Sequence, residues 1–413
     1  MTGRQRVGQV GGAGRARRPA DAGWRDDRIW QAGFLVGSVL GALATVLSRR
    51  AERSARRGLV DWAQVEAIAI ARLRRAPGGL DPAELRAAEA SYVAAMGLIL
   101  PRLEAFLGTD LPGVVERVEV VDRAGWVRGN ITAFRSLIER LEGRLIDEIV
   151  PVGGGLTKSV LAIANRYLTT RQIGYLLGFL GQRVLGQYDL ALLTAEAPAG
   201  RLLFVEENIR QTARALDVPL GPFRTWIALH ETTHAFEFEA HPWLRPYLAE
   251  RLERQLAALS SDAAALSRDA LRSLGRSLRG EGGADHWLER LMTDEQRRLW
   301  RETQSVMSLL EGFSDYVMDE VGQEIVPGVE QISARFHERR ESRSAMERAI
   351  LRLAGLDLKM EQYRKGRRFV AAVAAGGGRA ALTRLWEGPE TLPLEGEIEA
   401  PERWLRRVMG IDR

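Results

Sequence analysis

The stretch "HETTHAFEFEAH", from His230 to His241, holds three of the chain's five histidines and three carboxylates. The sequence around it predicts a helix that starts near Gly221 and Pro222 and continues through "FRTWIALHETTHAFEF". On such a helix His230 and His234 are four residues apart and about 6 Å from each other on one face, so both rings can reach a single ion. Glu231 points to one side of that face, where it can act on a water without binding the ion. This is the H-E-x-x-H arrangement of zinc hydrolases. Two surface histidines on a solvated helix are the plain alternative, but so few histidines seldom produce the pattern by chance.

A hydrolytic zinc site normally takes three protein ligands and leaves a fourth position open. His241 would be the metzincin solution, yet that pattern needs a glycine three residues and a histidine six residues after the second His, where Glu237 and Ala240 stand. Glu237 shares the face of His230 and His234, but three ligands from one unbroken helix surround an ion poorly. Glu311 in "LLEGFSDYVMD" is the third candidate. Glu311 and Asp315 share a face of a second helix, so one can bind the metal while the other accepts the N–H of a ligand imidazole. An ordinary acidic helix face is the plain alternative there. With Glu311 as ligand, Glu237, Glu239 and His241 become wall or surface.

Any metal must use such ligands, because the chain has no cysteine, which also excludes disulfide frameworks, iron–sulfur clusters and thiol nucleophiles. The 413 residues are 46% hydrophobic, enough to bury a large core in two or three domains. A net charge of +5 from 59 basic and 54 acidic residues describes a mixed, solvated surface, and nucleic-acid binding is not expected.

Residues 1–29 are rich in Gly and Arg without apolar periodicity and read as a disordered basic tail. Within residues 30–57, the run "WQAGFLVGSVLGALATVLS" (Trp30 to Ser48) carries no charge and is long enough to span a bilayer. Gly33, Gly37 and Gly41 give it one smooth face, as in closely packed transmembrane helices. A signal peptide with a cleavage site near Ala42 to Ala44, or a buried helix of a soluble fold, are the other readings. Arginines flank both sides equally and leave the orientation undecided. The expectation is a membrane-associated chain with its catalytic domain in the cytoplasm, or else a soluble cytoplasmic one.

From residue 58 the pattern turns helical, and a helical domain over 58–190 is expected to precede a catalytic domain over 191–413. "DPAELRAAEASYVAAMGLIL" opens with Asp81 as N-cap, Pro82 in the first turn and Glu84 placed for a capping box. Ile131 to Ile149 is helically spaced as well. "GGGLTKS" (Gly153 to Ser159) lacks the glycine before the lysine that a phosphate loop needs, and reads as a connector. "GRLLFVEENI" (Gly200 to Ile209) is the best strand, and Leu202 to Val205 is the edge expected to hold an extended peptide. Thr293 and Gln296 form a second capping box for the helix that carries Glu311. The segment between the two metal-site helices, "SSDAAALSRDALRSLGRSLRGEGGADHW", reads as peripheral.

The E-x-x-S-D spelling at Glu311 resembles the second zinc-binding helix of thermolysin-like gluzincins, and that resemblance makes Glu311 the ligand and Asp315 the group that orients His230. Over about residues 58 to 410, "VVDRAGWVRGN" (Val120 to Asn130), "LGFLGQRVLGQYD" (Leu177 to Asp189), "HETTHAFEFEAHPWLRPYL", "LEGFSDYVMD" and "LKMEQYRKGRRF" (Leu358 to Phe369) follow the order of a known family. The chain is similar to the zincin-like type 2 metallopeptidases, often labelled as associated with deazaflavin-coenzyme biosynthesis. The resemblance implies a mainly α zincin-like fold, with an N-terminal helical domain and a minimal β element beside the active-site helix.

The expected function is that of a zinc-dependent metallopeptidase with one Zn2+ per chain, held by His230, His234 and Glu311. The metal acidifies a water, and Glu231 takes its proton and returns it to the leaving amine of a peptide or protein substrate. Tyr316, His337 and Tyr363 are candidate donors to the developing oxyanion. A zinc amidohydrolase acting on a non-peptide amide, or a catalytically silent, membrane-tethered zinc scaffold, would use the same ligands.

Overall fold

A computed structural model describes residues 58, 60–149, 156–188, 200–261, 293–341 and 359–411. The expected tail, the apolar run Trp30 to Ser48 and all of the peripheral segment after its first two residues lie outside the described residues. By contacts the chain divides into a unit of Arg57–Gly153 with Ala164–Arg413 and a smaller unit of Met1–Arg56 with Gly154–Ile163. The larger unit carries the sheet and the helices that bear His230, His234 and Glu311.

Its architecture is mainly α around a small sheet. The elements that place the site are α1 (Trp62–Leu73), α2 (Pro82–Leu107), β1 (Val118–Val121), α3 (Arg123–Ile149), α4 (Leu156–Gly181), β2 (Gly186–Tyr188), β3 (Leu202–Val205), α5 (Glu206–Leu216), α6 (Leu220–Glu239), α7 (Leu244–Ser261), α8 (Asp294–Glu320), α9 (Val329–Glu341) and α10 (Lys359–Arg384). The capping boxes form as their sequences predict, Asp81 with Glu84 on α2 and Thr293 with Gln296 on α8.

The strand order is β1-β3-β2, with β1 parallel and β2 antiparallel to β3. This corrects the expectation that Leu202 to Val205 offers an edge to a peptide, because β3 is the central strand and both of its sides are paired. All four of its residues are buried, so "LLFV" is continuously apolar rather than alternating. Leu202 and Phe204 join the large core with α2, α6, α8 and α10, while Val205 joins a second cluster with Val65, Leu73, Trp126 and Leu177. The segments read as separate domains before and after residue 190 therefore share one sheet.

α2 is long and apolar enough to cross a membrane by length and composition alone. In the fold its inner face, Tyr92, Met96, Ile99 and Leu103, is fully buried in the large core. Tyr92 stacks on Phe204 at 4.3 Å, and its hydroxyl donates to Glu206 Oε2 at 3.0 Å. Glu206 is itself completely buried and is paired with Arg210 and Arg224. A buried carboxylate is tolerated because it is both paired and hydrogen-bonded, and the cluster locks the first half of α6 to α2 and α5.

α8 packs most extensively against α10, and the backbones touch where two glycines meet. A Cβ on Gly366 would lie 1.8 Å from Ser308 O, and one on Gly312 would lie 2.1 Å from Gly366 C. The glycine of "YRKGRRF" thus lets α10 seat directly against the turn that carries Glu311. No side chain can yield to relieve that overlap, so Gly366→Ala should lower unfolding stability by about 2 kcal/mol or more. Urea denaturation followed by circular dichroism measures this, and an unchanged midpoint would contradict the contact.

Candidate metal centre

α6 is buried nearly all round, which its sequence allows because its few polar side chains are satisfied locally. Thr232 and Thr233 are inaccessible, and their hydroxyls donate to Ala228 O at 2.7 Å and Leu229 O at 2.9 Å. His230 and His234 emerge one turn apart with ring centroids 4.7 Å apart and planes at 80°. Glu311 on α8 faces them, 6% exposed, with its Oε2 at 3.8 Å from Nε2 of each ring.

One donor atom from each of His230, His234 and Glu311 lies within 4.8 Å of the others, and among the described residues this is the group able to hold a metal ion. A tetrahedral zinc with bonds near 2.1 Å separates its ligand atoms by about 3.4 Å. The two 3.8 Å separations to Glu311 are within a small side-chain adjustment of that value, so the residues fit the ion.

The environment beneath the rings differs from the expectation. His234 Nδ1 lies 2.7 Å from Glu237 Oε2 and 3.2 Å from Ser314 Oγ, and Ser314 also donates to Glu237 Oε1 at 3.3 Å. Glu237, expected as wall or surface, is fully buried and holds the orientation of the His234 ring. Ser314 ties that pair to α8. His230 Nδ1 lies 3.0 Å from Met318 Sδ, and Asp315, 8% exposed, lines the same cavity as His230. Helical spacing alone points to Glu237 and Met318 as neighbours, but it does not show which of them turns inward.

Electrostatics follow from this burial. Desolvation alone would lower the pKa of His234, but attraction and hydrogen bonding to Glu237, with Glu311 and Glu231 behind, outweigh it and bring the ring to about 9. Burial lifts Glu237 to about 7 against the pull of His234.

Glu231 is 7% exposed, and its Oε2 accepts the Tyr188 backbone N–H at 2.9 Å. Strand β2 passes so close that a Cβ on Gly186 would meet Glu231 Cγ and Oε1 at 2.6 Å. Leu185 O accepts from Val205 N at 2.8 Å, so by the alternation of an antiparallel ladder Gly186 and Tyr188 turn their backbone groups away from β3, and the N–H of Tyr188 meets Glu231. Tyr188 is anchored in turn: its hydroxyl donates to Glu239 Oε1 at 2.8 Å and receives Arg245 at 2.6 Å, while Arg117 grips Glu239 with two nitrogens. Glu239 is therefore a strut of the strand. His241 stacks against Trp386 at 5.2 Å and stands apart from the metal group.

The candidate oxyanion donors fall elsewhere. Tyr316 and His337 line a neighbouring cavity of about 570 Å³ between α8 and α9, not the space beside the metal group. His337 Nδ1 is 2.7 Å from Ser333 O. Tyr363 belongs to α10, but its side chain lies outside the described residues.

These contacts predict that Glu237→Ala weakens zinc affinity by about 10- to 100-fold, read by competition with a chelating dye. The ring of His234 must be neutral to bind a metal, so below about pH 9 zinc displaces its proton. Apparent affinity should therefore rise with pH and level off near pH 9, with about one proton released from His234 per zinc at pH 7.5 in a weakly buffered titration.

The profile of a family described as zincin-like metallopeptidase matches residues 60–405. Among solved structures the chain is similar to a candidate hydrolase with a novel fold from Chloroflexus aurantiacus, 34% identical over 86% of this chain and 100% of that one, with a TM-score of 0.63. No curated protein matches the chain significantly. A matched span that carries both metal-site helices and the sheet beside them settles the assignment, and the chain belongs to the zincin-like metallopeptidases, a family of metal-dependent hydrolases.

Proposed function

We propose that the protein is a zinc-dependent peptidase in which His230, His234 and Glu311 hold one zinc ion and Glu231 is the general base. The observation that carries this is the convergence of the three donor atoms with a carboxylate that strand β2 fixes beside them. A bound zinc ion supplies Lewis acidity, which acidifies a water and polarises an amide carbonyl.

Glu231 moves the protons. Its Oε2 is held by the Tyr188 N–H, so Oε1 accepts the proton of the attacking water and delivers it to the leaving amine nitrogen. Glu237 and Ser314 hold His234 in one orientation throughout, and Met318 packs behind His230. The outward N–H and C=O of Gly186 supply pairing groups for an extended backbone, which favours a peptide over a compact non-peptide amide. β2, not β3, is the strand along which the substrate lies.

The test combines metal analysis with turnover. The purified chain should carry one zinc, and Glu231→Gln should retain it while hydrolysis of a blocked peptide falls by about 1000-fold. Glu311→Ala should lose the metal. Full zinc retention in Glu311→Ala overturns the ligand set, and unchanged turnover in Glu231→Gln overturns the mechanism.

A further inference from the structure

The space beside His230 and Glu231 is a cavity of about 150 Å³, with Gly186, Ile227, Asp315, Met318 and Phe336 among its other walls. A cavity of roughly this size takes one benzene-sized group, so it holds one side chain and not a run of residues. Strand β2 sets the same limit. Gly186 turns its backbone groups away from β3, where they can pair with one substrate residue. On one side of it the Tyr188 N–H is taken by Glu231 Oε2. On the other, the Val184 N–H donates to Leu180 O at 3.0 Å and the Val184 C=O accepts from Asn208 Nδ2 at 2.7 Å. Pairing along β2 is therefore confined to a single residue.

The charge of the cavity decides which end of a peptide that residue belongs to. Among the described residues its lining includes two acidic side chains, Glu231 and Asp315, and no lysine or arginine. His230 turns Nε2 toward Glu311 and sets Nδ1 against Met318 Sδ, so it is committed elsewhere. A terminal carboxylate would meet like charge here with no cation to offset it, whereas a terminal ammonium would find acceptors. Asp315 is 8% exposed and so keeps accessible surface. It leaves α8 one turn after Glu311 and on the same face, about 6 Å further along the helix. That offset suits an α-amine, which lies two bonds from the carbonyl carbon that reacts at the metal group. Ile227, Met318 and Phe336 supply apolar contact for the side chain.

We propose that this cavity binds the amino-terminal residue of a peptide, with its ammonium group on Asp315, and that the protein removes single apolar residues from the amino end. The assignment rests on the peptidase reading of the same site. Water adds to the first carbonyl carbon, the bond from that carbon to the second residue's nitrogen breaks, and the proton taken by Glu231 goes to that nitrogen. The products are one amino acid and a peptide shorter by one residue.

The zinc-loaded full chain, given leucyl-alanyl-alanine amide, which is blocked only at its carboxyl end, should release leucine first. Acetylation of the amine should lower kcat/KM by about 100-fold, and in Asp315→Asn that ratio should shrink to about 10-fold or less. The ratio compares two substrates on one protein, so a change in zinc content cancels. An acetylated peptide cut as fast as its parent, an internal bond cut first, or an undiminished ratio in Asp315→Asn overturns the proposal. Binding separates that failure from failure of the peptidase reading. Leucine hydroxamate and its N-acetyl form, titrated calorimetrically into the zinc-loaded chain, should differ by about 100-fold in Kd even where no peptide is cut. Equal Kd values overturn the proposal. Unequal values in a protein that cuts no peptide overturn the peptidase reading instead.

Discussion

The candidate metal centre depends on one constraint, that two buried helices from distant parts of the chain keep a fixed register. His230 and His234 come from α6 and Glu311 from α8, and a slip of one helix by a fraction of a turn would take Glu311 out of reach. Two contacts of different kinds hold that register. At the back of α8, Gly312 and Gly366 bring it into backbone contact with α10, which leaves no slack for sliding. At the front, Ser314 bonds both His234 and Glu237, so the turn that carries Glu311 is tied to the turn that carries the second histidine. The steric contact fixes distance, and the hydrogen bonds fix rotation.

The sheet performs the matching task for Glu231. The three residues of β2 are too few to contribute much stability on their own. Their placement is enforced from outside by the Arg117, Glu239 and Arg245 cluster around the Tyr188 hydroxyl and by pairing with the fully buried β3. The result is a backbone N–H delivered to Glu231 from a rigid element. Ligand geometry and base geometry thus have separate supports, one in the helix pair and one in the strand.

Much of this was legible in the sequence, for identifiable reasons. The histidine pair and Glu231 follow from helical spacing plus coordination chemistry, Glu311 was one candidate by spacing that the E-x-x-S-D resemblance singled out, and both capping boxes follow from local residue order. β3 was legible because four consecutive apolar residues lie between turn and helix signals. β1 and β2 were not, because "VEVV" and "GQY" are too short for a period to show, and with them went the knowledge that β3 is central. Glu237 was misjudged for a related reason. Spacing places it on the ligand face, but only packing shows that this face is sealed against Ser314.

The same packing explains why a divalent cation suits this interior. Glu231, Glu237, Glu311 and Asp315 are all buried around two imidazoles that are neutral in their ordinary state near pH 7. So many carboxyl groups in a medium of low dielectric call for a positive partner. The protein's own answer is the imidazolium of His234, which burial alone would discharge and which Glu237, Glu311 and Glu231 instead hold up to about 9. A doubly charged ion at the point where His230, His234 and Glu311 converge answers the same demand with greater charge and frees both rings to act as neutral ligands. The carboxylates that look excessive for three coordination bonds have separate work in the proposed mechanism: Glu311 as ligand, Glu237 as the partner of the His234 ring, and Glu231 as the proton acceptor.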